Sequence, residues 1–246
     1  MSPDGLKVAT YEWGTDDQPT AVLVHGFASS ALLNWHSSGW VRDLVRAGYR
    51  VIAHDQRGHG LSDKPHSPSD YTLEKLVDDL AAVLDTYMID DACYVGYSLG
   101  ARVGWQAAID LPHRISRAVL GGIPDGDPLT RFKVDEARGF IEHATPVDDR
   151  LTSAYVSMAN SIEGNDLEAL VSLVEGMRGG TQPEPSNPPQ QAVLFATGSD
   201  DSIIEKSKRL AEAAPNATFF EIPGRNHFNA PVSRQFKDAA LAFVQG

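Results

Sequence analysis

The feature that most limits how this chain can fold is Gly96-Tyr97-Ser98-Leu99-Gly100, set between two apolar runs of different period. Ala92-Cys93-Tyr94-Val95 reads as a short buried strand, and Ala101 to Ile109 reads as a helix that Pro112 stops. A chain that passes from strand to helix in so few residues turns sharply, with a strained serine at the apex and its hydroxyl exposed. Small residues are needed on both sides, because a Cβ there would collide with the neighbouring strand or helix. The new helix turns its unpaired N–H groups and positive dipole end toward the serine's surroundings, which favours negative charge there.

The rest of the chain alternates strands and helices in the manner of a parallel sheet. Leu6 to Trp13 is expected as an edge strand, followed by strands at Ala21–Val24, Arg50–Asp55, Arg117–Gly122, Ala192–Thr197 and Ala217–Ile222. Thr72 can cap a long helix whose apolar positions Leu73, Leu76, Val77, Leu80, Val83 and Leu84 repeat at helical spacing. A final helix is expected to place Val232, Phe236, Ala239, Ala240 and Phe243 on one face. Between Pro124 and Pro189 the alternation stops. Three amphipathic helical stretches, near 129–143, 148–161 and 166–178, follow one another, and a Pro-rich connector at 182–189 returns the chain to the sheet. The expected organisation is therefore a core of residues 1–124 and 190–246, with 125–189 as a small helical lid above the serine. Phe132, Leu151, Tyr155, Met158 and Met177 are the candidates to line a pocket beneath it.

A serine hydroxyl is a weak nucleophile: it needs a base to take its proton and a third group to orient that base. In the fold that sets such a serine on a strand-to-helix turn, the partners follow in the order serine, acid, histidine. Gly198-Ser199-Asp200-Asp201 and Pro223-Gly224-Arg225-Asn226-His227 each follow an expected strand, where open α/β sheets gather their sites. Among eight histidines, only His227 has both the order and the position. His66, His113 and His143 read as solvated, while His25 and His59 belong to glycine turns that suit structural hydrogen bonds. Gly-x-x-Asp favours Asp201 as the acid, with Asp200 as its competitor. Oxyanion donors are expected from the backbone N–H of Leu99 and from Phe27 in the His25-Gly26-Phe27 turn.

These motifs, with Asp55-Gln56-Arg57-Gly58-His59-Gly60-Leu61-Ser62, resemble α/β-hydrolase fold proteins of the small esterase, lactonase and cofactor-free haloperoxidase kind. The resemblance implies a mostly parallel sheet flanked by helices, the triad Ser98-Asp201-His227, and no metal or organic cofactor. It points to hydrolysis of a small or medium-sized ester through an acyl-enzyme. A serine nucleophile sets the chain apart from the branches of this fold that form their covalent ester on an aspartate. Lactone or C–C bond hydrolysis are alternatives, as is a ligand receptor on the same fold. Gly-Tyr-Ser-Leu-Gly-x-Arg also resembles the pyruvate-eliminating lyases of menaquinone synthesis, which would give Arg102 a substrate carboxylate. The competing reading pairs Arg102 with a carboxylate of the protein body.

Composition closes off other classes. A formal charge of −12 over 246 residues disfavours nucleic acid and anionic membranes as partners, leaving a small-molecule substrate. The single cysteine, Cys93, excludes a disulfide framework and reads as a small core residue. The N-terminal residues carry no apolar leader run, and a soluble cytoplasmic protein is the expectation.

Overall fold

Strand β2 (Thr20–Val24) is where the topology divides, because the chain builds outward from it in both directions. A computed structural model describes all 246 residues. The other strands are β1 (Thr10–Trp13), β3 (Arg50–His54), β4 (Ala92–Tyr97), β5 (Ile115–Gly121), β6 (Ala192–Gly198) and β7 (Ala217–Ile222). They form one seven-stranded sheet in the order β1-β3-β2-β4-β5-β6-β7, parallel throughout except for β1, which runs antiparallel to β3. Parallel pairing places the loops after β2, β4, β6 and β7 at one edge. The order reverses between β2 and β4, which opens a crevice there.

Alternate residues of each strand feed two cores. Val22 and Val24 pack under α2 (Leu73–Thr86) and α3 (Leu99–Asp110), while Ala21 and Leu23 pack under α1 (Trp40–Arg46) and α8 (Arg234–Gln245). Leu210 of α7 (Ile204–Ala213) joins the first core. The Thr72 side chain accepts from the Lys75 N–H and caps α2, whose six expected apolar residues are all buried. Burying each is worth about 1.5–3 kcal/mol, which is what holds the helix on the sheet.

Three expectations need correction. The edge strand covers only Thr10–Trp13, because the N–H groups of Lys7 and Ala9 donate to the Asp63 carboxylate and the Ser62 hydroxyl instead of to a neighbouring strand. The last helix begins at Arg234, so Val232 precedes it and is 56% exposed. The first of the three consecutive helices begins late. The Asp127 carboxylate takes the Leu129 N–H into a turn, and α4 runs from Val134 to His143. The sequence reading also leaves Leu32–His36, α1 and α7 unassigned.

Helices α4, α5 (Arg150–Ser161) and α6 (Leu167–Gly176) pack on one another through Phe132, Ala137, Val156, Val171 and Val174. Leu173 of α6 joins the first core, Leu170 packs with Ala28, and polar contacts add to this attachment. His66 meets Asp166 at 2.8 Å while its carbonyl accepts from Ser172, and the Asn165 amide donates to the Ala28 carbonyl. His66 is thus paired across to the helical segment rather than simply solvated. No helix is long and apolar enough to cross a membrane.

His25 and His59 knit the loop after β2 to the loop after β3. The Gln56 N–H donates to His25 Nε2 and the Ala28 N–H donates to His59 Nε2, both at 3.0 Å, so each ring acts as an acceptor. Burial pushes His25 and His54 down to about 4 and His59 to about 3, from an ordinary value of 6.5. Below pH 6.5 the unfolded chain takes up protons that the folded chain refuses until about pH 4 or 3. Stability is therefore greatest above the unfolded value and is lost as pH falls toward 4, by up to roughly 1.4 kcal/mol per histidine per pH unit. Urea unfolding is expected to show a clearly lower midpoint at about pH 5 than at about pH 7. Equal midpoints would contradict this account of the three rings.

Candidate active site

Ser98 occupies the turn between β4 and α3 with φ 54° and ψ −112°, a conformation that side chains rarely adopt. Its neighbours explain why the strain persists. A Cβ on Gly100 would run into the Val24 carbonyl, and one on Gly96 would run into the Gly100 carbonyl. Helix α3 can start hard against the end of β2 only because both are glycine. The Ser98 N–H donates to the Gly121 carbonyl at 2.8 Å, and the buried Tyr94 hydroxyl donates to the Gly100 carbonyl at 2.6 Å.

The loops after β6 and β7 bring two more of the expected residues to this turn. His227 Nε2 lies 2.9 Å from Ser98 Oγ, and His227 Nδ1 lies 2.7 Å from Asp201 Oδ2. Asp201 is buried, and its other carboxylate oxygen accepts the Ile203 N–H. Asp200 is exposed and accepts from the Ser199 hydroxyl, away from the histidine. The Tyr97 hydroxyl donates to the His227 carbonyl at 2.7 Å, which steadies the loop from beneath. A histidine between a carboxylate and a hydroxyl can accept the hydroxyl proton while the carboxylate stabilises the resulting imidazolium.

Phe27 and Leu99 flank the hydroxyl. The Phe27 N–H donates to no group in the protein, whereas the next N–H along, that of Ala28, is taken by His59. Leu99 opens α3, so its N–H has no acceptor within the helix. Two cavities meet at Ser98. One of about 410 Å³ is lined by Leu129, Leu151, Tyr155, Arg102 and Asp127, among others; one of about 150 Å³ is lined by Gly26, Asn34, Met158 and Pro231. Phe27, Tyr155, His227 and Phe228 border both. Tyr155 sits edge-on to Phe27 with ring centroids 5.8 Å apart. Of the other lining candidates, Phe132 and Met177 are buried in the cores instead.

Of the two roles weighed for Arg102, pairing with a carboxylate of the protein body is not formed, and the residue lines the larger cavity beside Ser98. It is 3% exposed and forms no ion pair; its guanidinium donates to the Gln182 side-chain carbonyl. Burial pulls it down to about 10, so it remains charged at neutral pH. The sequence reading missed Asn34, Asp127 and Phe228. Asn34 lies on a single wide helical turn at Leu32–His36, the kind of local distortion that often marks functional sites. Phe228 follows His227 directly and packs edge-on against it, yet is 59% exposed, and such an aromatic beside a cavity is a signal the sequence does carry.

A family model described as the alpha/beta hydrolase fold matches residues 19–148. The chain belongs to the α/β-hydrolase family. Among curated relatives it is 34% identical over 127 residues to AB hydrolase superfamily protein YfhM of Bacillus subtilis, covering 50% of this chain and 42% of the relative. It is 31% identical over 140 residues to epoxide hydrolase A of Mycobacterium tuberculosis, covering 57% and 42%. The chain thus spans less than half the length of these two relatives. Among solved structures, the enol-lactonase from Burkholderia xenovorans superposes with a TM-score of 0.79 at 22% identity, covering 99% of this hydrolase-family chain and 98% of that one. At that identity the likeness is one of fold.

The geometry around Ser98 leads to two expected outcomes. A fluorophosphonate should modify one serine stoichiometrically, and Ser98→Ala should abolish the labelling; a label that survives would move the nucleophile elsewhere. Asp201→Asn should slow labelling and turnover by about 10⁴-fold by presenting the wrong tautomer of His227. Asp200→Asn should change either rate far less, and the reverse ranking would transfer the orienting role to Asp200.

Proposed function

We propose that this α/β-hydrolase family member is a serine ester hydrolase that works through an acyl-enzyme. The observation that carries the reading is the continuous relay from Asp201 through His227 to Ser98, at 2.7 and 2.9 Å, beside a free backbone N–H at Phe27. His227 takes the proton as Ser98 Oγ attacks the ester carbonyl. The N–H groups of Phe27 and Leu99 hold the oxyanion, a contribution of about 2.7–4 kcal/mol per donor in comparable sites. The tetrahedral species collapses as His227 returns the proton to the leaving alcohol, and water then repeats the sequence to release the acid. The cavity of about 410 Å³ suits a small or medium-sized substrate, with the smaller cavity taking the other side of the scissile bond. Helices α4 to α6, which carry Leu151 and Tyr155, act as the lid over it.

Similarity to epoxide hydrolase A does not favour epoxide opening here. A carboxylate nucleophile opens an epoxide to an ester that water can cleave. A serine alkoxide would form an ether, and turnover would stop. A lactone is a cyclic ester, and the same relay serves it without change, so the structural likeness to an enol-lactonase is compatible with this chemistry.

Steady turnover of a short-chain nitrophenyl ester, lost in Ser98→Ala, is the expected result. Stoichiometric binding with a single slow hydrolytic event would instead favour a ligand receptor. Pyruvate release without ester turnover would favour the lyase. Shortening Tyr155 to Leu should shift chain-length preference, by about 1–3 kcal/mol per methylene of fit, while leaving the relay intact.

A further inference from the structure

Beyond the reacting atoms, the larger cavity contains one polar feature that the proposed hydrolysis does not use. Arg102 and Asp127 both line it, and each keeps one buried polar atom without a partner in the protein: the Arg102 Nε–H and the Asp127 Oδ2. One hydrogen bond is recorded for each side chain. Arg102 donates to Gln182, which is held in turn by the Met177 carbonyl, and Asp127 Oδ1 accepts the Leu129 N–H. Each side chain is thus held by one hydrogen bond and keeps one buried polar atom without a partner. A buried donor or acceptor left unmatched is costly, so a ligand that satisfies both gains more than one that fills space. No ion pair within 4.0 Å joins the two residues, so they do not cancel each other by direct contact.

The pairing of charges decides the ligand chemistry. A carboxylate would accept from Arg102 but face the Asp127 carboxylate, and an ammonium would do the opposite. Arg131 and Lys206 also line the cavity, yet both are exposed, and Lys206 is already 3.9 Å from Asp125. Water screens such charges, so they weigh less than buried Arg102 and the enclosed Asp127 Oδ2. A hydroxyl or a carboxamide both accepts and donates, and matches the two orphan sites at once. Arg102 stands one helical turn beyond Ser98 on α3, which places this recognition close to the scissile bond.

We infer that the site selects short esters or lactones whose end remote from the reacting carbonyl is an uncharged group that both accepts and donates hydrogen bonds, a hydroxyl or carboxamide held between Arg102 and Asp127. The inference rests on the ester-hydrolase reading for its chemistry and on the cavity alone for its selectivity.

The test uses methyl esters of straight-chain acids of equal length ending in methyl, hydroxyl, carboxamide, carboxylate or ammonium, with hydrolysis followed by acid release. The hydroxyl and carboxamide members should exceed the other three in kcat/KM by about tenfold or more, the scale of a hydrogen bond to a buried charge. Arg102→Met should remove most of their advantage over the methyl member. Asp127→Asn, which keeps the acceptor for the Leu129 N–H, should narrow the gap between carboxamide and carboxylate by about tenfold. Thermal unfolding checks that both variants fold, and the wild-type ranking decides the matter if either does not. Calorimetric binding of the same five esters to Ser98→Ala reads the preference independently of turnover. Wild type that hydrolyses none of them, with the ranking intact in binding, would overturn the ester reading and leave this inference standing. A carboxylate in first place, a methyl member equal to the best, or no binding by any of the five would overturn the inference itself.

Discussion

The close approach of Gly100 to the end of β2 is the constraint on which the site depends. It lets α3 begin at the sheet edge with no connecting loop, and so forces Ser98 into a left-handed conformation that costs about 1–3 kcal/mol for a residue with a side chain. That strain is carried by the contacts around it. The Ser98 N–H is paired into β5, Tyr94 holds the Gly100 carbonyl, and Ala101, Val103 and Trp105 of the new helix are buried in the core. The same contact that strains the serine also brings the first N–H of α3 beside the loop after β2. One packing event therefore fixes the proposed nucleophile and both proposed oxyanion donors relative to each other.

The loop that supplies Phe27 needs its own support, because it has no place in the sheet. Two neutral imidazoles provide it. His59 accepts the Ala28 N–H, the neighbouring Phe27 N–H stays free, and His25 accepts the Gln56 N–H from the neighbouring loop. Asp55 lies beneath them, with its carboxylate accepting from the Ala31 and Leu61 N–H groups and from the Tyr11 hydroxyl. Protonating either ring would turn an acceptor into a donor pointed at another donor. Burial keeps both rings neutral, so electrostatics and loop geometry depend on the same desolvation.

Much of this was legible from the sequence because the determinants are local. Gly-x-Ser-x-Gly between a strand and a helix, and an aspartate and a histidine each just past a later strand, need no knowledge of contacts to be read. The choice between Asp200 and Asp201 was less so: they differ by one step in a turn, and only the fold decides which carboxylate meets the histidine. Boundaries failed where side chains replace backbone partners, as when Ser62 and Asp63 take the N–H groups that a longer β1 would have used. The helix at Ile204–Ala213 escaped notice because only Ser207 and Leu210 of it are buried. The surroundings of Arg102 depend on Gln182, a residue 80 positions away in a Pro-rich connector, and no local pattern announces such a partner.

Helix α3 would tie the proposed chemistry to the proposed recognition more tightly than the helical segment 125–189 does. Leu99 opens this helix and Arg102 stands within its first turn, so their separation is set by a pitch of about 5.4 Å and by a backbone locked into the core. Leu151 and Tyr155, by contrast, come from α5, which rests on the body through its own small core and a few polar ties. Substitution in α5 can reshape the walls of the cavity without disturbing the turn at Ser98. On the proposed reading, distance from the reacting carbonyl to a remote polar group is therefore the rigid element of specificity, and the bulk accepted along the way is the adjustable one.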